Sequence, residues 1–305
     1  MANPQNTQSM NEAPPVPIGS LVSNRYRVLN VIGAGGMAFV LSAIDEESKR
    51  TVALKILRPE LAQFDVAKAR FLREAGAAAR IKSEYVAEVF DVGTTDEGLA
   101  FIVMELLTGQ TLEEFMHQRG ALPIEAAVEY VLEALEALAH ALALGVVHRD
   151  IKPSNLFIIA RGPDVKRVKI LDFGFSKANP LVSAKRQLTV KNAVLGSPAY
   201  MSPEQARSST DVDQRTDLWS LGVILYELLA ANPPFEGDSP VRIITSISKD
   251  PPLPLRTYRP DVPEALEAVV LRCLERDLDK RFANAAELAR ALAPFAPERA
   301  KDLPD

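Results

Sequence analysis

The chain has 305 residues, 47% of them hydrophobic, a net charge of −5 and a single cysteine, Cys273, set in the apolar helical pattern VVLRCLERDL. That length sets an expectation of about two lobes with ample core, so no disulfide framework is needed and Cys273 reads as a small core or near-surface residue in a chain from a reducing compartment, not a nucleophile. Interspersed charges leave no basic stripe for nucleic acid, and the longest apolar stretches, near 128–147 and 218–231, are broken by Glu133, Glu136, His140 and Glu227, short of a membrane span. Residues 1–20 have few large apolar groups and carry Pro4, Pro14, Pro15 and Pro17, which predicts a disordered tail and no signal peptide. The chain is therefore expected to be cytoplasmic, either by itself or as the cytoplasmic part of a membrane-anchored protein, with no membrane contact of its own.

From Tyr26 to Leu57 three β-rich runs, YRVLNVI, FVLSAID and TVALKIL, are separated by GAGGMA and EESKR, which predicts an antiparallel sheet. In the first break Gly33, Gly35 and Gly36 leave backbone N–H groups open to an anion. A glycine-rich hairpin without a ligand reads the same way, and a dinucleotide-binding turn is disfavoured because a strand follows, not a helix. On the third run alternation sends Val52 and Leu54 to one face and Ala53 and Lys55 to the other; a lysine near a glycine loop suits an anion, although an edge-strand lysine is an ordinary occurrence. A helix over about 65–82 carries Phe71 and Leu72 in its apolar stripe, with Glu74 beside it, where it can face the sheet and pair with Lys55, although a solvated helix charge reads the same way. The run FIVMELL at 101–107 precedes a largely helical region, with helices over about 123–145, 213–230, 241–249, 263–275 and 284–293 separated by Pro- and Gly-rich clusters. The layout is a β-rich lobe over 21–107, an α-rich lobe over 108–293 and a tail over 294–305.

The residues richest in chemistry lie at 148–174, where HRDIKPSN is followed by VKILDFG. Asp150, Lys152, Asn155 and Asp172 fall on loops beside short apolar β-type runs. An aspartate that accepts a proton, a lysine that neutralises charge and an Asn/Asp pair that holds a divalent cation are what phosphoryl transfer needs. A solvated turn with ordinary carboxylates is the alternative that this stretch alone leaves open.

Taken in order, Gly33-x-Gly35 with Val40, VALK ending at Lys55, Glu74, HRDIKPSN and DFG resemble the protein kinase superfamily. RFLREA, FIVMEL and GSPAYMSPEQ are similar to segments of the eukaryotic-like serine/threonine kinases of bacteria, and the resemblance covers about 24–293. It implies an α+β, bilobal kinase fold, with a small antiparallel sheet and one main helix in the first lobe and a larger helical second lobe. It further implies that Ile32, Gly33, Ala34, Gly35, Gly36, Met37, Ala38, Phe39 and Val40 cover the phosphates of ATP, that Lys55 holds the α- and β-phosphates, and that Glu74 fixes Lys55. Met104 would back the adenine, Glu105 and Leu107 would meet it through their backbone, and Val40, Ala53 and Leu156 would sandwich it. Asn155 and Asp172 would bind Mg²⁺, with Mn²⁺ as an alternative ion; Asp150 would accept the substrate proton and Lys152 would stabilise the transferred group.

The lysine two places after the aspartate and Ser197 imply protein Ser/Thr substrates, with autophosphorylation in the loop 175–197. Regulation through a basic pocket of Arg149 and Lys177, filled after phosphorylation of Thr189 or Ser183, is a further implication. Glu204 with Arg281, and Asp217, look like structural anchors. A homodimer through the first lobe is compatible with the resemblance. Ala38 stands where the third glycine is usual and Ser202 where an alanine is usual. Two rival readings, a nucleotide-binding scaffold without activity and a small-molecule kinase, are disfavoured by the complete set of catalytic residues and by the long segment 175–204.

Overall fold

The computed structural model describes residues 13–160, 166–173, 198–207 and 212–301. The period-two pattern between Tyr26 and Leu57 forms the centre of a six-stranded sheet made of β1 (Leu21–Val22), β2 (Tyr26–Ala34), β3 (Ala38–Asp45), β4 (Thr51–Leu57), β5 (Val89–Thr94) and β6 (Ala100–Glu105). Its order is β1-β2-β3-β4-β6-β5, every neighbouring pair antiparallel. Val28, Leu41, Ala43, Val52, Leu54, Ile56, Phe101 and Val103 form its core on one face, each large aliphatic contributing ~1.5–3 kcal/mol by burial. Ala53 and Lys55, one residue out of phase, take the other face.

Strand β5 was not evident from VFDVGT, because Asp91 and Gly93 interrupt its apolar alternation. Both residues have a use in the fold: Asp91 accepts a 2.7 Å hydrogen bond from the Tyr26 hydroxyl, and a Cβ on Gly93 would come within 2.6 Å of the Phe101 ring. The predicted disordered tail also needs correction. Val16 is buried in the sheet's core cluster, and the Gly19 N–H donates to Val28 O at 2.9 Å, so the stretch 16–20 is tied to the sheet although Pro17, Ile18 and Gly19 stay exposed. After β4 come α1 (Pro59–Ala62) and α2 (Asp65–Ala78). The latter ends before the expected 82 because Arg80 and Ile81 tighten into i→i−3 bonds to Ala77 and Ala78, which turns Ile81 into the core at 3% exposure.

The chain divides into two units, one of Met1–Lys82 with Ala87–Thr108 and one of Gly109–Asp305 with Ser83–Val86. In the second, β7 (Gly109–Thr111), β8 (Leu156–Ala160) and β9 (Lys166–Ile170) form a small sheet. Val86 bridges to Ile170, and the Ile170 N–H donates to Tyr85 O at 2.8 Å, which is why the short 83–86 segment belongs here. The helices are α3 (Leu112–Arg119), α4 (Ile124–Ala143), α5 (Pro203–Arg207), α6 (Arg215–Ala230), α7 (Pro240–Lys249), α8 (Leu255–Tyr258), α9 (Glu264–Cys273) and α10 (Ala285–Leu292). A capping box between Thr111 and Glu114 starts α3.

Helix α6 is the centre of this unit, with Trp219, Leu221, Val223, Ile224, Tyr226 and Leu228 all fully buried. It meets α9 so closely that a Cβ on Gly222 would stand 2.3 Å from that of Cys273. The tail expected from 294 is a second correction. Ala296 and Ala300 are buried, and Arg299 makes a two-pronged bond to the buried Glu129 on α4 at 2.7 and 2.6 Å, so residues through Lys301 belong to the unit. Among the described residues no helix is long and apolar enough to cross a membrane.

Candidate active site

A buried acid organises the loop 148–155. Asp217, in the first turn of α6, is 3% exposed, and desolvation raises its carboxyl above the ordinary range, against the pull of His148 and Arg149. Its two oxygens accept the N–H groups of His148 at 2.9 Å and Arg149 at 2.7 Å. Arg149 adopts φ 63°, and this left-handed step lets consecutive amides converge on one carboxylate. His148 is fully buried. Its Nδ1 accepts the Asp150 N–H at 3.2 Å and its Nε2 donates to Leu171 O at 2.9 Å, while its ring packs edge-on against Phe173 at 4.9 Å. One tautomer satisfies both bonds.

On this frame the Asp150 carboxylate is 29% exposed and accepts Lys152 Nζ on Oδ2 at 2.8 Å. Asn155 Nδ2 donates to Asp150 O at 2.8 Å and approaches Oδ2 at 3.3 Å. The Asn155 side chain thus turns its nitrogen toward Asp150, which leaves its amide oxygen as a hard donor; Asp172, at φ 58°, adds a carboxylate. Such oxygen donors fit Mg²⁺, which is usually held by one or two carboxylates together with substrate phosphates. Leu156, at the start of β8, is 1% exposed.

In the first unit Lys55 pairs in register with Val40 and Ile102, and Ala53 with Met104. The glycine turn is closed by Gly35 N–H donating to Ala38 O at 2.9 Å, with Ile32 and Met37 exposed at 42% and 44%. Phe39 is 3% exposed and belongs to the core, so it can meet an anion only through its backbone. The Glu105 N–H is committed to Glu88 O at 2.8 Å and is not the group that would meet a base. Glu74, expected to fix Lys55, takes Arg70 Nε on Oε1 at 2.8 Å, because the i,i+4 neighbour lies on its own helix face. Desolvation raises the Glu74 carboxyl above its ordinary value, opposed by Arg70, Arg73 and Lys55.

The sequence profile of the protein kinase domain family matches residues 26–292. The chain belongs to the protein kinase domain family. A probable serine/threonine-protein kinase of Clostridium acetobutylicum is 37% identical over 276 residues, which is 90% of this chain and 40% of that protein. The serine/threonine-protein kinase PknB of Mycolicibacterium smegmatis is 38% identical over 286 residues, 93% of this chain and 45% of that protein. The chain thus spans less than half the length of these curated relatives. The crystal structure of the Mycobacterium tuberculosis PknI kinase domain superposes with a TM-score of 0.72 at 27% identity, covering 92% of this chain and 100% of that one. The two-unit architecture is the protein kinase fold.

Within this kinase domain the segment from Pro198 to Gln205 is anchored to α6. The Tyr200 hydroxyl donates to Glu227 at 2.6 Å, Ser220 Oγ donates to Tyr200 O at 2.8 Å, and Ser202 Oγ lies 2.7 Å from Thr216 Oγ1. The serine that departs from the family's usual alanine is therefore buried and satisfied. Gln205 Nε2 donates to Arg149 O at 2.7 Å, tying this segment to the loop carrying Asp150. Glu204 takes Arg281 Nη1 and Nη2 at 2.7 and 3.2 Å, with the Arg281 side chain fully buried. The Arg149 guanidinium donates to Val212 O at 3.2 Å. Lys177, Ser183, Thr189 and Ser197 lie outside the described residues.

Two contributors were missed in the sequence. His148 could have been found from its place beside Arg149 and Asp150, but its link to Leu171 is tertiary. Arg58 had no signal: its N–H donates to Met37 O at 2.9 Å, its Nε to Gly35 O at 2.6 Å, and its guanidinium lies over the Phe39 ring at 4.4 Å, so it clamps the glycine turn.

Proposed function

We propose that the chain is an ATP-dependent serine/threonine protein kinase that transfers the γ-phosphoryl group to Ser and Thr hydroxyls of protein substrates and autophosphorylates within 175–197. The observation that carries this reading is the Asp150 carboxylate, part-exposed, held through Oδ2 by Lys152 and Asn155, on a loop fixed by Asp217. That geometry leaves Oδ1 to accept the proton of an incoming hydroxyl. Lys152 offsets negative charge on the transferred group. Lys55 would hold the α- and β-phosphates under the glycine turn, and Glu74 would fix Lys55 only on exchanging its Arg70 partner for it. Asn155 and Asp172 would hold Mg²⁺ or Mn²⁺, which when bound neutralises charge on the β- and γ-phosphates. Catalysis then rests on positioning and electrostatics. On the same reading the chain acts in the cytoplasm, by itself or as the cytoplasmic part of a membrane-anchored kinase, on proteins and not on nucleic acid.

The test is labelled γ-phosphate transfer from ATP with Mg²⁺ to a Ser/Thr peptide mixture and to the chain itself after phosphatase treatment. Asp150→Asn is expected to lower transfer by about 10²–10⁴-fold, the usual contribution of a positioned acid or base. Equal labelling by wild type and Asp150→Asn, or no labelling by wild type, would overturn the assignment.

A further inference from the structure

Arg58 stands between β4 and α1, and its backbone is fastened on both sides. Its N–H donates to Met37 O at 2.9 Å, and its carbonyl accepts the N–H groups of Leu61 and Ala62, each at 2.9 Å. Pro59 follows it and restricts it to an extended conformation, at φ −58° and ψ 140°. The side chain is fixed as well. Its guanidinium lies over the Phe39 ring at 4.4 Å, Phe39 belongs to the core of the sheet, and Nε donates to Gly35 O at 2.6 Å. Arg58 is therefore a stiff arm that holds two carbonyls of a turn whose residues Gly35, Gly36 and Met37 are exposed.

In a planar trans peptide the C=O of one residue and the N–H of the next point in opposite directions. Gly35 O and Met37 O are both drawn toward Arg58, so the amides of Gly36 and Ala38 are turned away from it. The turn's own Gly35 N–H is spent on Ala38 O at 2.9 Å. Neither Gly35 nor Gly36 sits at positive φ. Among the described residues a Cβ on Gly36 would meet nothing within 4 Å, and one on Gly35 would meet Ala38 O at an ordinary 3.8 Å. Neither packing nor strain within the turn calls for glycine at these places, and what glycine supplies there is room for an outside group to approach the backbone. We propose that Arg58 is a positioning residue: by holding two carbonyls it aims the Gly36 amide, on the exposed part of the turn, and the Ala38 amide, at the start of β3, at the phosphates of a bound nucleotide. The proposal rests on the reading of the chain as an ATP-dependent kinase. Neighbouring N–H groups turned to one side form an anion site, and amides aimed beforehand need not be ordered when the anion arrives. Arg58 acts through the peptides it holds and not through its charge.

The probes are ADP with Mg²⁺ and adenosine, each titrated calorimetrically against the full chain. Arg58→Met keeps the stem of the side chain and removes its donors. It should weaken ADP binding about three- to tenfold, the equivalent of one modest hydrogen bond, and leave adenosine binding unchanged, which also shows that the variant is folded. Arg58→Gln carries a neutral N–H donor at the same place along the side chain as Nε and should bind ADP close to wild type. Equal weakening of ADP and adenosine, ADP affinity unchanged in Arg58→Met, or Arg58→Gln as weak as Arg58→Met would each overturn the assignment. In parallel, γ-phosphate transfer by the wild type is measured. A loss confined to ADP in a chain that transfers no phosphoryl group would keep the role of Arg58 and remove the kinase reading; transfer by the wild type with ADP affinity unchanged in Arg58→Met would do the reverse.

Discussion

Glu133 lies in the middle of α4 with its side chain fully buried, accepting the Val168 N–H at 2.7 Å and Arg167 Nη1 at 2.8 Å. Desolvation outweighs these bonds and pushes its carboxyl from an ordinary 4.5 up to about 7. A carboxyl raised on folding stabilises the native state fully below its unfolded value, and that contribution is lost as pH rises through its folded value. The window therefore runs from pH 4.5 to about 7. At 1.36 kcal/mol per pKa unit the loss is about 3 kcal/mol. Glu133→Gln keeps the shape without the charge, so it should match wild type near pH 4.5 and exceed it by about 3 kcal/mol at pH 8. Urea unfolding followed through Trp219 measures this, since it is the chain's only tryptophan and is buried in the same unit. A stability difference between the two proteins that does not change with pH would refute the reasoning.

Three further outcomes are expected. Asp217→Ala strips two buried N–H groups of their acceptor, at a cost of about 1–3 kcal/mol each, so melting temperature and kcat should fall together while the KM for ATP holds. Arg58→Ala frees the glycine turn, and steady-state kinetics should show a KM for ATP raised roughly three- to tenfold, the equivalent of losing one modest hydrogen bond, with thermal stability nearly unchanged. Gly222→Ala forces a Cβ against Cys273 and should destabilise by about 1–3 kcal/mol; Cys273→Gly in the same chain should recover part of it in a double-mutant cycle.

The kinase fold and the order of its parts were legible because each chemical group sits in a short local motif whose spacing survives folding. Residues 148–155 and 171–173 could be picked out before any tertiary contact was known. What escaped were features decided at long range or by small residues. Glu74 is engaged by Arg70, a competition hidden in a reading that looked across the sheet for Lys55. The segment 83–86 joins the second unit through Tyr85 and Val86, whose partners on β9 lie more than eighty positions away. Residues 294–301 looked like a tail because Ala296 and Ala300 are too small to announce burial in the sequence, and the Arg299 bond to Glu129 that holds the segment is a contact 170 positions apart.

His148 has a mechanical consequence. One rigid imidazole spans the Asp150 N–H and Leu171 O, so the proposed proton acceptor and the backbone leading into the proposed metal ligand, Asp172, travel as one piece. On the proposed roles, an input that displaces residues 171–173, just after β9, would not switch off ion binding alone; it would drag the proposed base out of line in the same movement. Regulation at this point is therefore a single lever with two loads, and graded control would have to come from elements that do not pass through the ring.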